Sequence, residues 1–156
     1  DIMTGLWNKT SGVDQVRNCL ENMSESDMAV LGFMDIDNFK SVNDTYGHET
    51  GVFWIREVAT ALQEMCGPSD IACRYGGDEY ILFLQNIGDR EELTARIEGF
   101  RKKIHDKAEE KGQDVHCSIG LYRVKGAGRK LAECIMISDG LLYQAKKNGK
   151  DTYVIE

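Results

Sequence analysis

Proline is almost missing from this chain of 156 residues: it occurs once, at Pro68, which leaves no room for a proline-rich linker or stalk. The five cysteines (Cys19, Cys66, Cys73, Cys117 and Cys134) are odd in number and show no C-x-x-C spacing. Both features argue against a disulfide framework and a zinc site, and for reduced thiols in a cytoplasmic setting. Long apolar runs are missing too. The longest, Met28 to Met34, falls far short of the roughly 20 residues that span a bilayer, and no signal-peptide pattern precedes it. A soluble domain without direct membrane contact is expected. Long basic runs are absent, and 19 Lys and Arg stand against 26 Asp and Glu for a net charge of −7. Attraction to a phosphate backbone would have to work against that field, so a nucleic acid polymer is not an expected partner. The abrupt opening "DIMTGLWNK" leads us to expect a fragment of a longer regulated protein whose other parts anchor or control it.

What is present is an ordinary globular composition, 42% hydrophobic and 29% charged, at a length that buries a real core as one domain, residues 1–156. Val13, Val16, Leu20 and Met23 recur at helical spacing and predict a helix over 11–23. "MAVLGFMDID" reads as a buried strand that ends in acids, and "NFKSVNDTYGHE" as a short helix and loop. Ile55 to Cys66 mark a long helix that stops before Gly67 and Pro68. Strands are predicted at 69–74 and 79–84 around a Gly-Gly turn, then a helix over 89–111, a strand in "VHCSIGLYRV", a helix over 129–147 and a last strand in "TYVIE". This order of helices, strands and a hairpin predicts an α+β fold with helices packed on a mostly antiparallel sheet.

Chemistry concentrates in few places. Asp35 and Asp37 close the first strand two residues apart, which puts both on one face of its rim, and Asp78 and Glu79 sit at the tip of the hairpin "RYGGDEY". Carboxylates that converge need a cation, and oxygen ligands without His or Cys suit Mg²⁺ or Mn²⁺. The same Gly76-Gly77-Asp78-Glu79 stretch also reads as a plain hairpin turn with solvated charges. "DIDNFKSVND" is not a calcium loop, because Phe39, Lys40 and Tyr46 occupy positions that need oxygen, glycine and glutamate. Backbone amides around Asn38 to Lys40 open a helix and could cradle phosphate. Lys146 and Lys150 are four apart near a helix end, where they serve either a phosphate or the helix dipole.

Taken together, "DIMTGLWNK", "DIDNFKSVNDTYGHETG", "RYGGDEY", "CSIGLY" and "SDGLLYQAKKNGKD" resemble, in order and spacing, the GGDEF family of diguanylate cyclases. Those enzymes join two GTP molecules into cyclic di-GMP. The resemblance implies a central sheet like that of nucleotide cyclases and polymerase palms. It implies two Mg²⁺ or Mn²⁺ ions per site, held by the Asp35 and Asp78 side chains and the Ile36 carbonyl. Lys40, Lys146 and Lys150 would meet the β and γ phosphates, with loop amides near Phe39. Asn43 would hydrogen-bond guanine, His48 would lie in the same pocket, and Gly76 and Gly77 would let the nucleotide approach bare backbone. Glu79 would ease deprotonation of the attacking ribose 3′-hydroxyl, beside Asp78. Two domains must face each other antiparallel, so activity is expected to require a homodimer.

Some positions depart from the family pattern. Val52 stands where an Asp usually reads guanine, which leaves open an active cyclase, one with relaxed purine choice, or a degenerate module that binds GTP or a partner as a sensor. Gly67-Pro68-Ser69-Asp70 lacks the arginine of the family's R-x-x-D product-inhibition motif, so no allosteric site is expected there. Tyr80 for Phe and Lys150 for Arg are milder changes.

Overall fold

The computed structural model describes residues 1–87 and 89–156. Among the described residues, ten elements follow in chain order: α1 (Lys9–Glu21), β1 (Met28–Ile36), α2 (Phe39–Tyr46), α3 (His48–Met65), β2 (Ile71–Arg74), β3 (Glu79–Gln85), α4 (Arg90–Lys111), β4 (Cys117–Lys125), α5 (Leu131–Lys147) and β5 (Tyr153–Ile155). The strands form one sheet in the order β2-β3-β1-β4-β5, antiparallel except for the parallel β4–β5 pair. The expected α+β architecture is thus the observed one.

β1 runs through the centre of the sheet, and its alternation sorts the core. Val30, Met34 and Ile36 join a cluster with Trp54, Val58 and Leu62 of α3 and Leu93, Ile97 and Phe100 of α4. Ala29, Leu31 and Phe33 join the opposite cluster with Val16 and Leu20 of α1 and Cys134 and Leu142 of α5. A strand buried on both faces carries no polar alternation, which is why "MAVLGFM" is a continuous apolar run. The parity puts Asp35 on the α5 side.

Local signals set the helix ends. The Asn8 side chain accepts from the Ser11 amide at 2.9 Å and starts α1 two residues earlier than its apolar spacing indicates. Asp89 accepts from the Glu92 amide at 2.8 Å, and Gly112, at φ 63°, closes α4 in the left-handed conformation. α3 begins at His48, well before the Ile55 from which the apolar pattern is legible. Its first turns pass over α2 and include Gly51, where a Cβ would lie 1.9 Å from Asn43 Oδ1.

One glycine decides how closely α5 lies on the sheet. A Cβ on Gly120 of β4 would come within 2.3 Å of both the Leu142 amide nitrogen and the Ser138 carbonyl oxygen. The helix backbone therefore rests directly on the strand, and the buried Ser138 hydroxyl donates to the Leu31 carbonyl of β1 at 3.0 Å. This close seating carries the C-terminal end of α5 to the end of β1.

Candidate functional site

Sheet register alone brings the two acidic segments together. Asp35 of β1 lies directly opposite Glu79 of β3, and the Ile36 amide donates to the Asp78 carbonyl at 3.2 Å. Residues directly opposite in an antiparallel pair share a face, so Asp35, Asp78 and Glu79 meet at one sheet end although 43 residues separate Asp35 from Asp78 in the sequence. Neither hairpin glycine adopts positive φ, so the plain turn requirement does not explain them. Gly76 instead lies under Glu79: a Cβ there would stand 2.4 Å from Glu79 Oε1, while the space beside Gly77 is open. Arg74 braces the loop by donating from Nε and Nη2 to the Gly77 carbonyl at 3.1 and 2.9 Å.

Electrostatics distinguish the acids. Asp35 is 8% exposed, and burial raises its carboxyl from 3.8 to about 6 despite the neighbouring Lys146 ammonium; the charges of Asp78 and Asp37 push the same way as burial. Burial also raises Asp78. Lys146 Nζ donates to Asp35 Oδ2. Burial works to lower the Lys146 pKa, but its contacts with Asp35 and the charges of Asp37 and Asp78 raise it. Among the described residues Asp35 Oδ1 has no hydrogen-bond partner. A buried, unsatisfied carboxylate oxygen beside a second destabilised carboxylate fits a hard divalent cation. No cluster of three or more His, Cys, Asp or Glu able to hold a metal occurs among the described residues. A cation here would therefore need oxygen from backbone and ligand as well as from Asp35 and Asp78.

Asp37 does not belong with these acids. The rule of two-residue spacing placed it on the same rim face, but it lies one residue past β1 and its carboxylate is taken up internally. It accepts from His116 Nδ1 and Ser118 Oγ at 2.6 Å each and from the Asp151 amide at 2.9 Å. Burial would raise its pKa, but these hydrogen bonds outweigh burial and hold it below the usual range.

Of the other expected residues, Phe39 and Lys40 follow closely on the end of β1, Asn43 and His48 stand farther along α2 and α3, and Lys150 comes back to Asn38. Asn38, at φ 50°, turns the chain from β1 into α2, whose first residues are the half-buried Phe39 and the exposed Lys40. Asn43 is half-buried and its Oδ1 also lacks a partner among the described residues. His48 is exposed at the first position of α3. Lys150 does not share a helix face with Lys146, because α5 ends at Lys147. It reaches the site from a turn of positive φ, where its Nζ donates to Asn38 Oδ1 at 2.6 Å. Larger cavities lie elsewhere: one of about 510 Å³ beside Trp7 and Asp70, and one of about 580 Å³ beside Leu20 and Leu131. Asp70 is committed to structure, accepting from the Gly67 and Gln85 amides at 2.7 Å each and from Arg96 Nη2 at 3.1 Å. An arginine thus does reach Asp70, but from α4. The roles of Arg74 and Gly120 were hidden from sequence reading, although an arginine before a Gly-Gly turn is a usable hint.

A central β1 flanked by antiparallel β3 and β4, with acids at its end and helices on both faces, is the cyclase-like α+β fold. The sequence model described as "Diguanylate cyclase, GGDEF domain" matches residues 1–152, and the chain belongs to this family. It is 35% identical over 133 residues to diguanylate cyclase DosC of Escherichia coli, covering 83% of this chain and 28% of that protein. It is also 31% identical over 157 residues to the bifunctional diguanylate cyclase/cyclic di-GMP phosphodiesterase MucR of Pseudomonas aeruginosa, covering 98% of this chain and 23% of that one. The chain thus spans under a third of the length of these relatives. Among solved structures, the GGDEF domain of DgcB from Caulobacter crescentus, in complex with c-di-GMP, superposes with a TM-score of 0.85 at 26% identity over 99% of this chain and 94% of that one. Diguanylate cyclase SiaD from Pseudomonas aeruginosa, in complex with its activator SiaC, gives 0.85 at 27% identity over 100% and 61% of the two chains. No helix among the described residues is long and apolar enough to cross a membrane.

Proposed function

We propose that this domain is a diguanylate cyclase that condenses two GTP molecules into cyclic di-GMP. The observation that carries the reading is the meeting of Asp35, Asp78 and Glu79 at one sheet end, with an unsatisfied Asp35 oxygen beside Lys146. Asp35, Asp78 and the Ile36 carbonyl would hold two Mg²⁺ or Mn²⁺ ions, which supply charge stabilisation to the attacking and leaving oxygens. Lys40, Lys146 and Lys150 bind the β and γ phosphates of GTP, with amides at the start of α2 beside Phe39. In that complex Lys146 exchanges its Asp35 contact for phosphate. Asn43 would hydrogen-bond guanine, with His48 at the pocket edge and Gly76 and Gly77 leaving room for the nucleotide.

Glu79 takes the proton from a ribose 3′-hydroxyl as that oxygen bonds to the α-phosphorus of the facing GTP. The α-phosphorus–oxygen bond to the β-phosphate breaks, and pyrophosphate leaves with the electron pair. Two such steps close the ring, so a second copy of the domain in antiparallel contact supplies the other half of the reaction.

Val52 favours a second reading, a relaxed purine choice or a GTP-sensing module without turnover, because its side chain accepts no hydrogen bond from guanine. One experiment separates the readings: the protein fused to a dimerising segment is incubated with GTP, ATP and both in Mg²⁺, and products are identified by mass. Cyclic di-GMP alone supports the first reading, a mixed purine dinucleotide the relaxed one, and bound GTP without any dinucleotide the sensor. Val52→Asp should tighten GTP about tenfold, the value of one added hydrogen bond to a buried donor. Unchanged affinity would remove Val52 from the base pocket.

A further inference from the structure

The turn after α5 carries strained backbone next to the site. Gly149 (φ 113°), Lys150 (φ 63°) and Asp151 (φ 48°) follow one another at positive φ. Glycine adopts this region freely, but a residue with a side chain stays there only when its surroundings hold it. Three side chains do so. Asp37 Oδ2 accepts from the Asp151 amide at 2.9 Å, Arg101 Nη2 donates to the Asp151 carbonyl at 2.6 Å, and His105 Nε2 pairs with Asp151 Oδ1 at 2.6 Å. The result of this bend is that Lys150 Nζ reaches Asn38 Oδ1. One short segment, residues 35–38, therefore touches both lysines: Asp35 meets Lys146, Asn38 meets Lys150, and Asp37 grips the backbone that carries Lys150.

A carboxylate that is 3% exposed is an expensive way to fill a core position. The donors to Asp37 explain its presence only in part through fold stability, because Ser118 belongs to the neighbouring strand β4 and His116 directly precedes it, while the Asp151 amide belongs to the lysine turn. We propose that Asp37 is a positioning residue for phosphate binding: its carboxylate holds the Asp151 amide, and so keeps the Lys150 ammonium at the mouth of the Asp35–Asp78 site. This rests on the reading of that site as a GTP site. Arg101 and His105 brace the same turn from α4.

Binding of GTP in Mg²⁺ to the intact chain, with GMP as the control that lacks β and γ phosphates, tests it. Asp37→Ala should weaken GTP by about 10- to 100-fold, the worth of a charge-assisted contact, and leave GMP within about twofold. In a Lys150→Ala background the same substitution should cost nothing further. The Arg101→Ala, His105→Ala double variant loosens the turn without touching Asp37 and should give the same pattern, which keeps the test available if Asp37→Ala does not fold. Equal losses for GTP and GMP, or additive losses with Lys150→Ala, overturn the proposal. Amide hydrogen exchange decides the mechanical half without nucleotide. The Asp151 amide should exchange at least about tenfold faster in the variant while α5 keeps its protection, and unchanged exchange there overturns the proposal. A parent protein that fails to bind GTP would sink the GTP reading alone, because the exchange result still decides whether Asp37 holds the turn.

Discussion

Asp35→Asn should make the ligand-free domain more stable while destroying its site. Burial raises the Asp35 carboxyl from 3.8 to about 6, which at about 1.4 kcal/mol per pH unit places roughly 3 kcal/mol against the ionised form in the folded state. The sign follows from linkage. A carboxyl whose folded pKa is raised costs nothing at a pH below its unfolded value, and its penalty grows as pH rises through the folded pKa and is full beyond it. The value of about 6 is already net of the opposing pull of Lys146, so asparagine removes the whole of that penalty. A gain of about 3 kcal/mol near pH 7.5 corresponds to a Tm higher by roughly 6–12 °C for a chain of this size. Thermal unfolding of parent and variant in EDTA, at pH 4 and pH 7.5, measures it: the difference should be small at pH 4 and develop by pH 7.5. Adding GTP and Mg²⁺ should then raise the Tm of the parent only. A variant that is less stable at pH 7.5, or whose Tm difference is the same at both pH values, would refute the burial argument.

Glu79→Gln should retain GTP binding but lower dinucleotide formation by about 10²- to 10⁴-fold, the usual worth of a positioned base; steady-state product assays with parallel GTP titrations check the split. Gly120→Ala drives a methyl group into the α5 backbone, where contacts at 2.3 Å leave no space, and should cost about 3 kcal/mol or more in urea unfolding because helix and strand must separate. His116→Ala should lower stability by about 2 kcal/mol near pH 6 through loss of a charge-assisted hydrogen bond to Asp37. Hydrogen bonding to Asp37 raises the His116 pKa against burial, so this contribution is complete below about 6.5 and fades as pH rises through the raised value. The lowered pKa of Asp37 makes the pair fade again in strong acid. Urea midpoints across pH 4–9 for both proteins reveal a difference that shrinks at high pH.

The motif blocks were legible because they are short and local. Asp35, Asp78, Glu79, Gly76 and Gly77 sit at ends of elements whose type the apolar periodicity reveals, and antiparallel pairing of β1 with β3 then leaves little choice but to bring those ends together. Other features were not legible because their cause is distant in sequence. Asp37 looked like a partner of Asp35, yet His116, Ser118 and Asp151 claim it from 79, 81 and 114 residues away. Lys150 looked like a helical neighbour of Lys146, yet a run of positive φ held by α4 and Asp37 delivers it by another route.

By itself the order of residues determined the elements, the α+β class, the family and the set of acids, because periodicity, glycine punctuation and motif spacing act over a few residues. Only the tertiary structure decided which carboxylate is left unsatisfied and which is consumed. That depends on burial and on hydrogen-bond donors contributed by β4, by α5 seated on Gly120, and by the turn at Asp151. Such donors are brought near by packing, and no local pattern along the chain encodes their arrival.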